Sequence, residues 1–340
     1  MKKIFIIFLT LIASLSFVAK AELPAPLNSG EVKVALVRQL SQGDFFQAYL
    51  SGVEKMSAAL NINLQVFDAK GDPSLQADLM EQAINTKPHG IILQHGLTEN
   101  MAPLAQKALD MGIKVVAFDV NVNNPNIPQI EQSDHLLAQL ALEQAIKDNG
   151  ESFNAGYVYV AGFAPLDRRD EKWREFKDKY PGIKELAQFG AVNDATAQTV
   201  ADQGRAVILG NPSMNVIFAP YDEFAKGAKM AVDEAGKNTT IKIYSADVST
   251  ADIQLMIEKD SAWVATAATN PAVVGKVSVR SVAMLIAGED PGQNVIVPPT
   301  LITQKMLRDL NIGNMDDLAS NMPQFSSADV ANPSWMPATN

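Results

Sequence analysis

Polar and aromatic side chains follow a series of short apolar runs in this sequence, at the points where strands of a β-sheet would end. They are carboxylates, amides, an arginine, a histidine and planar aromatic rings. In chain order they are Asp44, Phe45, Phe46, His95, Asp119, Arg169, Asn193, Tyr221, Asp222, Asp247 and Asn270. Because a ligand hydroxyl both donates and accepts hydrogen bonds, acidic and basic side chains can bind it together. Aromatic rings stack on the C–H faces of sugars, so the set predicts a site for a neutral sugar or sugar alcohol.

Four of the acidic and amide positions also have a purely structural interpretation. Asp44, Asp170 and Asp222 stand just before predicted helices, where aspartate is a favoured N-cap. Asn270 precedes a proline, which is a stronger capping signature. At these positions helix capping and ligand binding both stay open.

Among these residues, Asp119 is the one for which a purely structural role is the least satisfactory explanation. It ends the apolar run 115–118, and a carboxylate at the end of a buried strand needs partners. Phe45 and Phe46 are adjacent and cannot face one direction, so one of them is expected to pack in the core. For His95 two interpretations remain open: a hydrogen-bonded loop residue or a ligand contact.

Composition and missing motifs exclude several other kinds of chemistry. The chain has 340 residues, no cysteine and three scattered histidines, so thiol catalysis, disulfides and Cys-ligated metals are excluded. It contains no G-x-S-x-G, H-E-x-x-H, P-loop or G-x-G-x-x-G motif. A formal net charge of −10 argues against a nucleic-acid partner. We expect no metal, no cofactor and no catalysis.

The elements that must position these residues alternate between short strands and amphipathic helices. In the first half the predicted strands are 32–37, 64–67, 90–93 and 115–118, with helices at 45–60, 74–86 and 101–111. In the second half strands are predicted at 156–161, 185–189, 216–219, 241–245 and 263–267, and the helix after the first of them at 170–180. The pattern predicts two doubly wound α/β domains, in which ligands bind beyond the carboxyl ends of the parallel strands. Residues 22–30 are expected to be a short linker, and 311–340 a partly irregular tail.

The N-terminus has the order of a secretory signal. Lys2 and Lys3 precede an apolar run over residues 4–18, and Ala19-Lys20-Ala21 has the small-x-small pattern of a cleavage site. The run is shorter than the roughly 20 residues of a spanning helix. Removing residues 1–21, with their three lysines, changes the formal net charge from −10 to −13. The sequence therefore predicts an acidic protein exported to the periplasm after cleavage at Ala21, with no cysteine there for a lipid anchor.

Several segments together resemble the periplasmic sugar-binding proteins of ABC importers, the ribose- and galactose-binding group. The segments are 43–46, 115–119, 168–170, 216–225 and the turn at Asp247, and the likeness covers about residues 31–305. It implies a type I periplasmic binding protein fold with three crossings near residues 133, 269 and 300. The implied lobes are 31–132 with 270–300, and 133–269 with 301–325, followed by a tail over 326–340.

The resemblance also implies roles for single residues. By position, Phe45 and Phe46 are similar to the aromatics that sandwich the ligand, and Asp119 to the aspartate that binds hydroxyls. Arg169 is similar to the arginine of the second domain, although Arg168 stands beside it. Asp247 is similar to the aspartate that ends a later strand.

The sequence departs from the ribose binders at three positions. Val120 replaces an arginine, Tyr221 an asparagine, and Ala246 an aromatic residue that often precedes the later aspartate. These differences argue against ribose itself. They leave another pentose, a sugar alcohol or a small hydroxylated compound as candidates.

The leading hypothesis is a monomeric, non-catalytic receptor that closes on its ligand and delivers it to an inner-membrane ABC permease. One alternative is an exported carbohydrate-active enzyme using Asp119 with Asp222 or Asp247. Another is a repressor-like sugar sensor, which would need a basic helix-turn-helix before residue 31. The sequence has a signal peptide at that place instead.

Overall fold

The computed structural model describes residues 22–326 and 329–339. The predicted signal peptide, residues 1–21, lies outside them. Within the described ranges, no helix combines the length and apolar character needed to cross a membrane.

Strands and helices alternate along the described chain, as the hydrophobic pattern predicts. The strands are β1 (Lys33–Arg38), β2 (Asn63–Asp68), β3 (Gly90–Gln94), β4 (Lys114–Phe118), β5 (Gln129–Glu131), β6 (Ser152–Val158), β7 (Gly182–Phe189), β8 (Val216–Ala219), β9 (Lys242–Ala246), β10 (Trp263–Ala268), β11 (Asn294–Ile296) and β12 (Thr300–Thr303). The helices are α1 (Asp44–Ala59), α2 (Pro73–Asn85), α3 (Thr98–Asp110), α4 (Asp134–Asn149), α5 (Ala164–Lys179), α6 (Thr196–Gly210), α7 (Asp222–Glu234), α8 (Thr250–Ile257), α9 (Pro271–Ile286), α10 (Gln304–Asp309), α11 (Met315–Asn321) and α12 (Pro323–Ser326).

The strands form two six-stranded sheets. The first has the order β11-β5-β4-β3-β1-β2, and all its pairs are parallel. The second has the order β12-β10-β9-β8-β6-β7, and only β12 is antiparallel, to β10. Central strands such as β3 are buried along their whole length, as expected for a sheet covered by helices on both faces. The predicted pair of doubly wound α/β domains is confirmed.

Helix α9 returns the chain to the first lobe, where it packs on α1. The two backbones approach so closely that a Cβ on Gly52 would lie 2.0 Å from the carbonyl oxygen of Ala272. A Cβ on Gly275 would lie 2.2 Å from the carbonyl oxygen of Tyr49. Glycine is therefore required on both helices, and the Tyr49 hydroxyl adds a 3.0 Å hydrogen bond to Ser278 of α9.

The chain crosses between the lobes more often than the resemblance implies. It passes from β5 to α4, from β10 to α9 and from β11 to β12. Ile312, Leu318 and Phe325 then pack in the core of the second lobe. Residues 329–339, here called the C-terminal strap, return to the first lobe, where Trp335 and Met336 pack against its core.

Helix α5 begins earlier than the sequence indicated. It starts at Ala164 with Pro165 in its first turn, a favoured position for proline. Arg168 and Arg169 therefore lie inside the helix, and Asp170 is not an N-cap. The predicted linker is also wrong in part, because it contains a 3-10 turn whose Leu27 is fully buried.

Candidate functional site

A cavity lies between the two lobes, beyond the carboxyl ends of the strands. Both sheets contribute to it through the loops that follow their strands. Its walls are formed by Leu40, Phe45, Phe46, His95, Gln132, Phe163, Pro165, Leu166, Arg169, Val192, Tyr221 and Asp247. Six of the eleven predicted site residues are in this wall.

Phe45 and Phe46 form the aromatic part of the first-lobe wall. Both rings are almost fully buried, at 3% and 2% exposure, yet both line the cavity, although only one was expected to leave the core. Their rings meet edge to face at 5.3 Å, and Phe46 meets His95 in the same way at 5.3 Å. These contacts hold the rings in one orientation.

His95 is a neutral hydrogen-bond donor. Burial lowers its pKa to about 3. The side-chain amide nitrogen of Gln94 lies 3.0 Å from His95 Nδ1. Because an amide nitrogen only donates, Nδ1 accepts this bond and the ring proton is on Nε2.

Three of the predicted polar residues directly follow a strand in the left-handed backbone conformation. The φ angles are 55° at His95, 51° at Asp119 and 72° at Asp247. Such angles are uncommon outside glycine and are found at binding sites, where the surrounding structure holds them.

Arg169 organises the second-lobe side of the cavity. Its guanidinium donates to Asp134 at 2.8 Å, to Asp247 at 2.9 Å and to the carbonyl oxygen of Pro220 at 2.7 Å. Burial alone would lower the pKa of Arg169, but the two carboxylates outweigh it and raise the pKa. Arg169 is therefore a permanent cation whose charge is balanced inside the protein.

Arg168 joins the lobes, whereas its neighbour does not. It donates to Asp119 of the first lobe at 2.8 Å and also pairs with Asp134 of the second. Burial and the nearby Asp134 carboxylate raise the pKa of Asp119 well above its usual value, against the effect of Arg168. Asp119 Oδ2 is buried and has no hydrogen-bond partner among the described residues.

Two predicted residues lie at the mouth of the cleft instead of in the cavity wall. Asp44 is the first residue of α1 and accepts hydrogen bonds across the lobes, from Lys226 at 3.1 Å and from the Ser249 hydroxyl at 3.2 Å. Asn193 lines an adjoining polar depression and accepts a bond from the backbone N–H of Ala195 before α6.

Asp222 and Asn270 are also outside the cavity wall. Asp222 is fully buried behind Tyr221, where its Oδ1 accepts from the backbone N–H of Glu223 at 2.9 Å. Burial, then the neighbouring Asp252, raises its pKa well above the usual value. Asn270 caps α9 by accepting from the N–H of Ala272 at 3.0 Å, which is the capping alternative.

Sequence reasoning missed the apolar part of the wall and two polar residues. Phe163 and Leu166 were hidden because α5 was placed six residues too late. Gln132, at a crossing, is hydrogen-bonded to Thr269. Asp134 accepts hydrogen bonds from both Arg168 and Arg169. These partners are distant in the sequence, so no local pattern indicates the role of Asp134. In the described part of the chain, no cluster of three or more His, Asp or Glu residues is arranged to hold a metal.

Comparison with known proteins agrees with this architecture. A family model described as "Periplasmic binding protein domain" matches residues 34–290. The ribose import binding protein RbsB of Bacillus subtilis is 23% identical over 315 residues, 90% of this chain and 100% of that protein. The xylitol-binding protein of Mycolicibacterium smegmatis is 26% identical, over 70% of this chain and 68% of that protein.

Two solved structures share more sequence and nearly the whole fold. One is the 5-methylthioribose transporter solute binding protein from Thermotoga lettingae in complex with 5-methylthioribose. It is 41% identical, with a TM-score of 0.88, and the match covers 90% of this chain and 97% of that one. The other is a sugar ABC transporter protein from Yersinia enterocolitica, 32% identical, with a TM-score of 0.86, covering 90% and 93%.

These matches confirm the type I fold and the resemblance found in the sequence. The matched segment includes five strands of each sheet, β1–β10 apart from Lys33, and every wall residue of the cavity. Fold, interlobe cavity and family model thus agree, and the chain belongs to the periplasmic binding protein family.

Proposed function

We propose that the chain is the solute-binding receptor of an ABC importer and captures a sugar or polyol in the interlobe cavity. The observation that carries the proposal is the cavity itself, which has two aromatic rings on the first lobe and the Arg169–Asp247 pair on the second. Relatives that bind ribose or xylitol by name support this class of solute.

Binding and closure are coupled in this proposal. A solute that touches Phe45 and Phe46 on one lobe and Arg169 on the other makes all its contacts only when the lobes are together. Arg168–Asp119 and Lys226–Asp44 are ion pairs made only across that interface. The lobes would separate by rotation at the crossings. The permease would then recognise the closed surface, with the receptor acting as a monomer.

Export is part of the same proposal. The signal sequence and the family both fit a periplasmic receptor that begins at Glu22. Mass spectrometry of the protein purified from the periplasm of an expressing cell tests this. The expected mass is that of residues 22–340, and an uncleaved chain would contradict it.

The geometry gives little support to catalysis. A glycosidase needs two carboxyl groups that face the scissile bond. Asp247 is neutralised by Arg169, Asp119 by Arg168, and Asp222 lies outside the cavity wall. We therefore propose binding without turnover.

Isothermal titration with 5-methylthioribose, D-ribose, D-arabinose, xylitol and allitol tests the function. We expect saturable binding of at least one compound at one site per chain, and chromatography should recover that compound unchanged. Absence of binding by all five would contradict the assignment to sugars and polyols. A product that accumulates with time would contradict the receptor.

A further inference from the structure

A large part of the cavity wall is apolar, and this distinguishes it from a site built only for hydroxyl groups. Leu40, Phe163, Pro165, Leu166 and Val192 line it and carry no polar side-chain atom. Phe45 and Phe46 are already available for the faces of a sugar ring. The remaining apolar wall would meet whatever projects from that ring.

Three of the five polar residues of the wall, Gln132, Arg169 and Asp247, are engaged with protein partners. Arg169 is bonded to Asp134, Asp247 and a carbonyl oxygen, and Gln132 is bonded to Thr269. A hydroxyl placed against the apolar wall would therefore lose its water without gaining a partner, which opposes binding. The wall is suited to an apolar group.

The apolar wall is also divided between the lobes. Leu40 follows β1 and packs against the first-lobe core, whereas Phe163 and Val192 follow β6 and β7 and pack against the second. A group between them is enclosed from both sides only when the lobes meet. Its burial would thus favour closure as well as binding.

We infer that the preferred solute is a pentose-sized sugar bearing an apolar substituent, which is seated between Leu40, Phe163 and Val192. The inference rests on the proposed function and names its class of ligand. It also assigns the selection against unsubstituted sugars to these residues and not to the ring-binding polar groups. The 5-methylthioribose held by the Thermotoga lettingae protein has this chemistry, so it is the probe of choice.

Titration of the wild-type chain with 5-methylthioribose, 5-deoxyribose and D-ribose measures the preference. One apolar group in a fitted pocket is worth about 10–200-fold in selectivity. We expect the dissociation constant for 5-methylthioribose to be lower than that for either comparator by a factor in this range. Equal or tighter binding of D-ribose would overturn the inference while leaving the receptor function intact. Failure of all three compounds and of the polyols to bind would overturn the function as well.

The variant Val192→Thr tests the location of the substituent. Threonine has nearly the shape of valine but places a hydroxyl against the apolar group, so the preference for 5-methylthioribose should fall about tenfold or more. Binding of D-ribose should fall by a smaller factor than binding of 5-methylthioribose. The matched control is Val207→Thr, a half-buried valine of α6 in the same core but outside the cavity, which should leave the preference unchanged. An equal loss for both sugars in Val192→Thr, or an unchanged preference, would overturn the assignment.

Discussion

Two adjacent arginines, Arg168 and Arg169, form different ion pairs in the cleft. Arg169 is 2% exposed and bonds only to its own lobe, so it holds the wall in place. Arg168 forms an ion pair with Asp119 of the first lobe, and this pair can form only when the lobes are together. The sequence alone left open which arginine contacts ligand; the geometry puts Arg169 in the cavity wall.

Asp119 does not belong to the cavity wall, so its substitution tests whether the solute also reaches a carboxylate beyond that wall. Its Oδ1 is held by Arg168, whereas the buried Oδ2 has no partner among the described residues and would accept from a solute hydroxyl. A hydrogen bond to a charged group contributes about 1.5–3 kcal/mol. Asp119→Asn should therefore weaken solute binding by roughly 10–100-fold in a titration.

The exposed Asp178→Asn is the control for that measurement, since it changes the net charge equally from a surface of α5. Its affinity should match wild type. If Asp119→Asn also binds as wild type does, Asp119 serves only the ion pair with Arg168.

The elements show which parts of the fold a sequence can predict. Short apolar runs located the strands β1–β4 and β6–β10, and apolar positions three or four residues apart located helices such as α1, because each element buries its own apolar residues. The C-terminal helices α10–α12 were not predicted. The short β5 was missed, since three residues carry no pattern. The start of α5 was placed late because its charged turn looked solvated, although Arg168 and Arg169 pair with carboxylates from distant segments. Pairing between distant segments leaves no local periodicity, so the site was predicted less completely than the fold.

The close contact between α1 and α9 leads to a prediction about the stability of the protein. Gly275→Ala places a methyl group within 2.2 Å of a backbone carbonyl oxygen, so the helices must separate. The free energy of unfolding should fall by about 1–3 kcal/mol or more, measured by urea denaturation.

Gly210→Ala is the matched control for the Gly275 variant. It lies at the end of α6 with open space around its Cβ position, so it should be neutral or slightly stabilising. Similar stability of the two variants would show that α1 and α9 can move apart without cost.

The C-terminal strap links the lobes of the whole molecule in a way that its sequence did not indicate. Its anchors Trp335 and Met336 are isolated apolar residues in a polar segment, so no periodicity marks them. The indole N–H of Trp335 donates to Glu289 at 2.8 Å, and Met336 is 8% exposed. The last residues therefore belong to the first lobe.

Met336→Ala should release the strap. Removing a buried methionine side chain costs about 2 kcal/mol or more, and the loss should appear as a lower urea midpoint. Met230→Ala, a methionine on α7 with 38% exposure, is the control and should change stability by less than about 0.5 kcal/mol. Equal effects would mean that the strap is not anchored by Met336.

A buried carboxyl group of the second lobe also makes the stability of the whole molecule depend on pH. Asp252 of α8 is buried beside Lys226, whose ammonium also meets Asp44 and Glu223, with Asp222 nearby. Burial raises the pKa of Asp252 from 3.8 to about 6, and the attraction of Lys226 only partly opposes this. The folded protein thus keeps a proton that the unfolded chain releases between about pH 4 and 6.

The sign of the effect follows from this difference in proton binding. Since the folded state binds more protons in that window, the free energy of unfolding falls as pH rises from 4 to 6 and levels off above it. The part due to Asp252 is at most about 3 kcal/mol.

The side chain in Asp252→Asn cannot titrate, so the unfolding free energy of this variant should vary less with pH over the same window. Some slope should persist, because burial also raises the pKa of Asp222. Urea denaturation at pH 4, 5, 6 and 7 measures both slopes, and parallel curves for the two proteins would refute the role of Asp252.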